Sequence, residues 1–444
     1  MLYVLAGTLA LLMFLSLITT KGDLFAPEVI LSIAFLFCTL CAIYQLRIWD
    51  HDIGVATYAI IVSTVLIANV VGLVVRGLMP GRIRKSSRKL KMSPVPDWAI
   101  AFFFVLALIT CVVMVYEIRR IGGIGDFADV MVNYRQQSGY GTDLDEKLPG
   151  WVSQLQNIVN VVGYLCIFNL IVFWRQLSRR QKAANVIVIV LSALASMLTG
   201  GRFGTLCMVL GSLTMFWVVY YRTHGGASVR PSTVLKVLLV VIAALAVFYF
   251  AKDFVGRVSD DTMVDYLTHY AGGGIIGLDM YLVAPPLPSD IFGKETFYSL
   301  INGLRKLGLM NVPYYIIHHE FRVSNGVSIG NIYTALRDYH YDFGFLGLVV
   351  LHVAFCVIMS WSYEHLKRHD PGIGTILMGM VYYCVPLYGI SNCLYANIVS
   401  FGFLIKAVEV WILYKLFIEK SFLRQSDDVC DRPVRRFYVV GGGR

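Results

Sequence analysis

The sequence predicts an all-α polytopic membrane protein of about 11 transmembrane helices, with its N-terminus out, its C-terminus in and a large outer loop containing short helices. Two observations carry this. The chain of 444 residues is 57% apolar and only 15% charged, with a mean hydropathy of +0.67, whereas a soluble domain is about 25% charged. A membrane-crossing helix needs about 20 mostly apolar residues, and such stretches account for most of the chain, which excludes a large soluble catalytic domain.

The apolar stretches fall near 2–20, 27–46, 53–75, 98–116, 151–174, 183–199, 203–221, 236–251, 343–361, 372–390 and 398–418. The first lacks a basic leader and a small-residue cleavage site, so it reads as a retained span. Orientation follows from alternate connections, because basic loops stay in the cytoplasm. One set holds 24 of the 38 Lys and Arg: Lys21, the run Arg76 to Lys91, Arg175 to Lys182, Arg222 to Lys236, Lys367 with Arg368, and the tail from Lys415. The net charge of +10 therefore reports orientation in a bilayer, and no nucleic-acid partner is implied. The organisation is 1–251 (spans one to eight, with an outer loop at 117–150), a large outer loop at 252–342, spans nine to eleven at 343–418, and a basic tail at 419–444. The large loop is rich in aromatic residues, which suggests short helices on the membrane surface.

Cysteines Cys38, Cys41, Cys111, Cys166, Cys207, Cys356 and Cys384 lie in apolar stretches, Cys393 stands near a helix mouth and Cys430 in the tail. No matched spacing supports a disulfide framework or a zinc site. His318-His319-Glu320 lacks the i, i+4 histidine spacing of a zinc helix, and Asp260-Asp261 with Asp265 reads as a solvated face. No metal and no cofactor are expected. Nucleophile elbows and phosphate-binding Walker loops are absent as well, so ATP-driven transport is not indicated.

The outer segments carry more arginine than orientation requires: Arg119, Arg120, Arg135, Arg202, Arg257, Arg305, Arg322 and Arg337, against four lysines, Lys147, Lys252, Lys294 and Lys306. Guanidinium groups grip phosphate oxygens in pairs and stay charged when desolvated, so several together point to an anionic substrate. Pairing with carboxylates or lipid headgroups is the alternative for each. Arg202 stands out in the turn Thr199-Gly200-Gly201-Arg202-Phe203-Gly204, close to membrane depth, where an arginine is costly. Either its glycines admit a phosphate to the next helix start, or they serve a tight hairpin whose arginine reaches up to headgroups.

The second constellation is His318-His319-Glu320-Phe321-Arg322 followed by Gly330-Asn331-Ile332-Tyr333-Thr334 and on through Arg337-Asp338-Tyr339-His340-Tyr341-Asp342-Phe343-Gly344. A helix over 331–342 would place Asn331, Thr334, Asp338 and Asp342 on one face. It would offer an anion binder, a base and stacking rings. Asp342 could instead cap the following span, and the histidines could be ordinary loop residues.

Gly200 to Arg202 between two mid-chain spans, together with Gly330 to Thr334, Arg337 and Tyr341 to Gly344 entering the next span, resembles the bacterial O-antigen (oligosaccharide repeat-unit) polymerases. The plan of spans with one dominant loop in the second half is similar along the whole chain. The resemblance implies a glycosyltransferase in the bacterial inner (cytoplasmic) membrane with its site facing the periplasm. A growing glycan would leave undecaprenyl pyrophosphate for the terminal sugar of a lipid-linked repeat unit. Pyrophosphate would be held by Arg202 and Arg337, then Arg322 and Arg135. The base would be His340, then Asp342, then His318. Tyr333, Tyr339 and Tyr341 would stack on sugars. The partners implied are the undecaprenyl-pyrophosphate-linked oligosaccharide, membrane lipid and a chain-length regulator in the same membrane. An O-antigen ligase has the same phosphate problem, and a lipid-linked oligosaccharide flippase is the non-enzyme alternative. A membrane-bound acyltransferase fits less well, since its histidine would sit inside the membrane.

Overall fold

Runs of branched and aromatic apolar residues set off by charged ends form helices because the backbone can satisfy its own polar groups only that way in lipid. The computed structural model describes residues 1–79, 92–140, 147–225, 231–256 and 261–419. Arg257, Asp260, Cys430, most of the basic run ending at Lys91 and all but the first residue of the 419–444 tail lie outside the described residues.

Eight helices are long and apolar enough to cross a membrane: α1 (Leu2–Thr19), α2 (Pro27–Trp49), α3 (Val55–Leu78), α4 (Asp97–Gly122), α6 (Gly150–Phe173), α8 (Phe203–Thr223), α9 (Pro231–Phe254) and α12 (Ala335–Arg368). The chain is an all-α polytopic membrane protein. Three of the eleven expected segments differ. The less apolar α7 (Arg179–Met197) starts from Ser178, which caps Gln181 in a reciprocal box. The tenth stretch is helical only over Ile373–Cys384, of which α13 covers Ile373–Val381. The chain then turns irregularly to a single π-helical turn, Leu394–Ile398, before α14 (Phe401–Phe417). Buried Tyr388, Asn392 and Tyr395 keep that irregular backbone inside protein, the setting in which membrane folds tolerate it.

The ends of the helices gather on two faces. On the N-terminal face the Met1 amino group pairs with Asp52, and the Ser324 hydroxyl donates to the Trp49 carbonyl at 2.9 Å. On the opposite face Asp23 accepts from Lys367 at 2.7 Å, Tyr363 at 2.8 Å and Trp217 at 3.0 Å, while Arg76 pairs with Glu28.

The expected large loop is mostly something else. Residues 263–283 form α10 (Met263–Val283), a buried helix lodged in the bundle, where short surface helices were expected. Both of its ends stay on the N-terminal face: Asp265 takes Arg47 of α2 at 2.7 Å, and Asp279 takes the Gly54 N–H at 2.7 Å and the Thr57 hydroxyl at 2.6 Å at the start of α3. Both ends of the helix therefore lie on one face of the bundle. Its glycines explain the fit, since a Cβ at Gly272 would lie 2.7 Å from the Ala42 nitrogen and one at Gly274 2.3 Å from the Gly389 carbonyl. Beyond it come the short α11 (Tyr298–Lys306) and a hairpin of β1 (Arg322–Ser324) and β2 (Val327–Gly330). In the 117–150 loop, α5 (Phe127–Tyr140) packs on α4 and α9.

Candidate functional site

A buried charge cluster forms where the chain re-enters the bundle. Thr334 precedes the first helical turn of α12, which kinks at Gly344, where φ is 63° and ψ −166°. Only the part after that kink is apolar enough to read as a span, and the piece over 335–343 holds Arg337, Asp338, His340 and Asp342. Arg337 is fully buried. Its guanidinium pairs with Glu295, with Glu320 at 3.1 Å and with Asp338 at 3.5 Å. It is walled by Tyr333 at 4.9 Å and by Tyr281 and Tyr341 at 5.2 Å each.

His319 completes the cluster. Its Nε2 lies 3.5 Å from Asp338 and its Nδ1 3.7 Å from Glu295, and its ring meets the edge of Tyr333. The Glu295, His319 and Asp338 ligand atoms lie within 4.8 Å of one another, so a divalent cation could find three ligands there. Arg337 already supplies positive charge at that point. Glu295 carries no motif in the sequence, being 24 residues from His319 and 42 from Arg337. The sequence expectation falls on His318, one residue away.

Several expected residues take other places. Asp342 does not cap the span: it accepts the backbone N–H groups of Thr296 at 2.6 Å and Glu295 at 3.1 Å, fixing the strand of chain that delivers Glu295. Burial pushes its carboxyl up to about 6, with the Thr296 N–H pulling the other way. His340 turns from the cluster to the Tyr281 hydroxyl, 2.9 Å from its Nδ1, and burial lowers its pKa. Asn331 and Thr334 precede the helix, so the expected four-residue face reduces to Asp338 and Asp342. His318 is adjacent to the cluster in sequence, yet it is His319 that meets the carboxylates.

Of the three tyrosines, Tyr339 is wholly buried between Tyr388 and Tyr395 and has no face for a sugar. Tyr333 is 3% exposed, with its hydroxyl donating to the Glu320 carbonyl and accepting from Arg322. Tyr341 keeps part of its ring open and donates to the Leu287 carbonyl at 2.8 Å.

The arginines do not converge on one clamp. Arg202 donates to the Phe248 carbonyl and the Tyr266 hydroxyl and stacks over Phe248 at 4.0 Å, beside an apolar cavity of about 240 Å³ between α8 and α9. It meets one end of α10 at Tyr266, and Arg337 meets the other at Tyr281. Fifteen helical residues separate these contacts, about 22 Å at 1.5 Å per residue. The expected pairing of Arg202 with Arg337 around one pyrophosphate is therefore replaced by two separate sites. Arg322 donates to Tyr333 and to the Ala284 carbonyl at 2.9 Å. Arg135 reaches the Gly256 carbonyl at 3.3 Å.

No family model matches the chain, nor does any curated protein or solved structure.

Proposed function

We propose that the protein is an oligosaccharide repeat-unit polymerase of the bacterial inner membrane, working on its N-terminal face, which the distribution of basic residues assigns to the periplasm. The observation that carries the reading is the Glu295–His319–Asp338–Arg337 cluster, buried, walled by tyrosines and partly open to solvent through Glu320, which is 40% exposed. Such a site suits an uncharged hydroxylic acceptor better than a phosphate, because three carboxylates surround Arg337 and the second guanidinium, Arg322, reaches only the outermost of them, Glu320, at 4.0 Å.

In the proposed reaction an acceptor hydroxyl of the lipid-linked repeat unit attacks the anomeric carbon of the growing glycan. The new C–O bond forms as the bond to the diphosphate breaks, and the diphosphate leaves with the electron pair. His319, oriented by Asp338, takes the hydroxyl proton, the service that a base within hydrogen-bond reach performs. Glu295 and Asp338 face the positive charge that builds on the sugar ring, a preorganised complement to an oxocarbenium-like transition state. A chain-length regulator in the same membrane is part of the proposal.

A deletion strain tests the class. Surface glycan limited to a single repeat on the lipid A core supports polymerase. Polymer retained on undecaprenyl pyrophosphate would instead mean ligase, and repeats trapped on the inner leaflet flippase.

A further inference from the structure

A second polar site lies within the bundle, beside the turn that carries Arg202 but on its other side. A cleft of about 450 Å³ is lined by Gln156, Asn157 and Asn160 of α6, Ser196 of α7, Ser400 and Lys406. The cleft adjoins the charge cluster through its wall: the segment over 392–402 packs on the segment over 296–303, with the Asn392 amide donating to the Thr296 carbonyl at 3.2 Å and Phe297 meeting Tyr395 edge to face.

Lys406 gives the cleft its sign. It stands one turn and a half into α14, between Leu404 and Val408, which are exposed on the lipid-facing side. Among the described residues it has no hydrogen bond and no carboxylate in ion-pair contact. Its nearest opposing charge is Glu409, which acts on it electrostatically from the next turn. An ammonium left at this depth without a direct partner is costly, and amide and hydroxyl groups facing it across a cavity are what an anion's remaining oxygens need. Phe203, 41% exposed, and Phe403 line the cleft with apolar rings.

We infer that this cleft binds the phosphate group of a membrane lipid, with Lys406 as its counter-ion, the α6 and α7 polar side chains around its oxygens, and the lipid chain running out past Phe203 and Phe403. Combined with the polymerase reading, on which only the lipid's identity rests, the cleft receives the polyprenyl diphosphate once it has left the sugar, while the carboxylate cluster faces the reacting sugar and the acceptor. That division replaces the two-arginine clamp.

The test uses the full chain in phosphatidylcholine nanodiscs titrated with undecaprenyl diphosphate, bound copies being counted by native mass spectrometry. Lys406→Gln should weaken binding at least tenfold and Asn160→Leu severalfold, while Lys406→Arg should stay within about threefold of the parent and Glu409→Gln should bind no more weakly. Arg47→Gln, at an exposed ion pair elsewhere, serves as the unchanged control. Matching melting temperatures establish that the variants are folded. Lys406→Gln binding within twofold of the parent would overturn the site. Where the site stands, competition by phosphatidylglycerol assigns it to ordinary anionic headgroups, and failure to compete assigns it to the diphosphate; both uphold a lipid-phosphate site. Loss of binding by Lys406→Gln in a protein whose deletion leaves polymer intact would keep the cleft and remove the polymerase reading. Unaltered binding beside loss of polymer on deletion would do the reverse.

Discussion

Two buried clusters of charge sit at opposite ends of the bundle and are built differently. On the face opposite the N-terminus, Asp23, Glu28 and Glu364 meet Arg76, Lys367 and Arg368, three carboxylates against three cations, and every side chain is at most 20% exposed. On the N-terminal face, Glu295, Glu320 and Asp338 share Arg337 and His319, and Glu320 reaches solvent with Arg322 4.0 Å away. A balanced, sealed network ties helices together: Asp23, between α1 and α2, is bound to α12 and α8. An unbalanced, open one leaves acceptor oxygens for something the protein does not itself supply.

The largest effect expected from this contrast is on stability at the sealed end. Lys367→Met leaves the buried Asp23 carboxylate with only the Tyr363 and Trp217 donors, while Glu364 keeps Arg368, and breaking a buried pair costs about 3–5 kcal/mol. Thermal unfolding in detergent should fall sharply, and the double change Asp23→Leu with Lys367→Met should recover part of the loss. A Lys367→Met melting temperature equal to the parent's would erase the distinction between the two ends.

The open end should show the reverse pattern, activity lost with the fold kept. Glu295→Gln and His319→Ala should each lower polymer formation at least tenfold, at unchanged protein level, while His340→Ala, which touches Tyr281, should leave it within about threefold. Glycan profiles from complemented deletion strains measure this directly. Equal losses from His319→Ala and His340→Ala would return the base to an open question between them.

Smaller effects sharpen the frame that holds the open end in place. Gly272→Ala forces a Cβ against the Ala42 backbone and should cost about 1–3 kcal/mol by overpacking, read as a lower melting temperature. Asp342, raised to about 6 by burial, binds its proton more tightly in the folded chain than in the unfolded one. Its contribution is therefore complete below the ordinary Asp range near 3.8 and declines as pH rises through about 6. Asp342→Asn should flatten the stability profile across that window, and an unchanged slope would exclude it as the source.

The spans were legible because twenty-residue apolar runs have few other readings, and Arg337 was legible because orientation in a bilayer should thin arginine from outer segments. The carboxylates that neutralise it were not, since Glu295 and Glu320 come from elsewhere in the chain by tertiary folding alone. Helix α10 was hidden by its own composition: Gly272, Gly273, Gly274 and Gly277 read as breakers, and Asp265, His269 and Asp279 dilute its hydropathy, yet close packing on α2 is what those glycines permit. Tyr339 and Tyr341 look alike in sequence. Only the helical rotation between them decides that one is sealed in the core and the other keeps an open edge.

The most direct test of the account is the length of surface glycan in a deletion strain complemented with Glu295→Gln protein at the parental level. Glycan arrested at a single repeat is the expected result. Full-length polymer from that strain would contradict it.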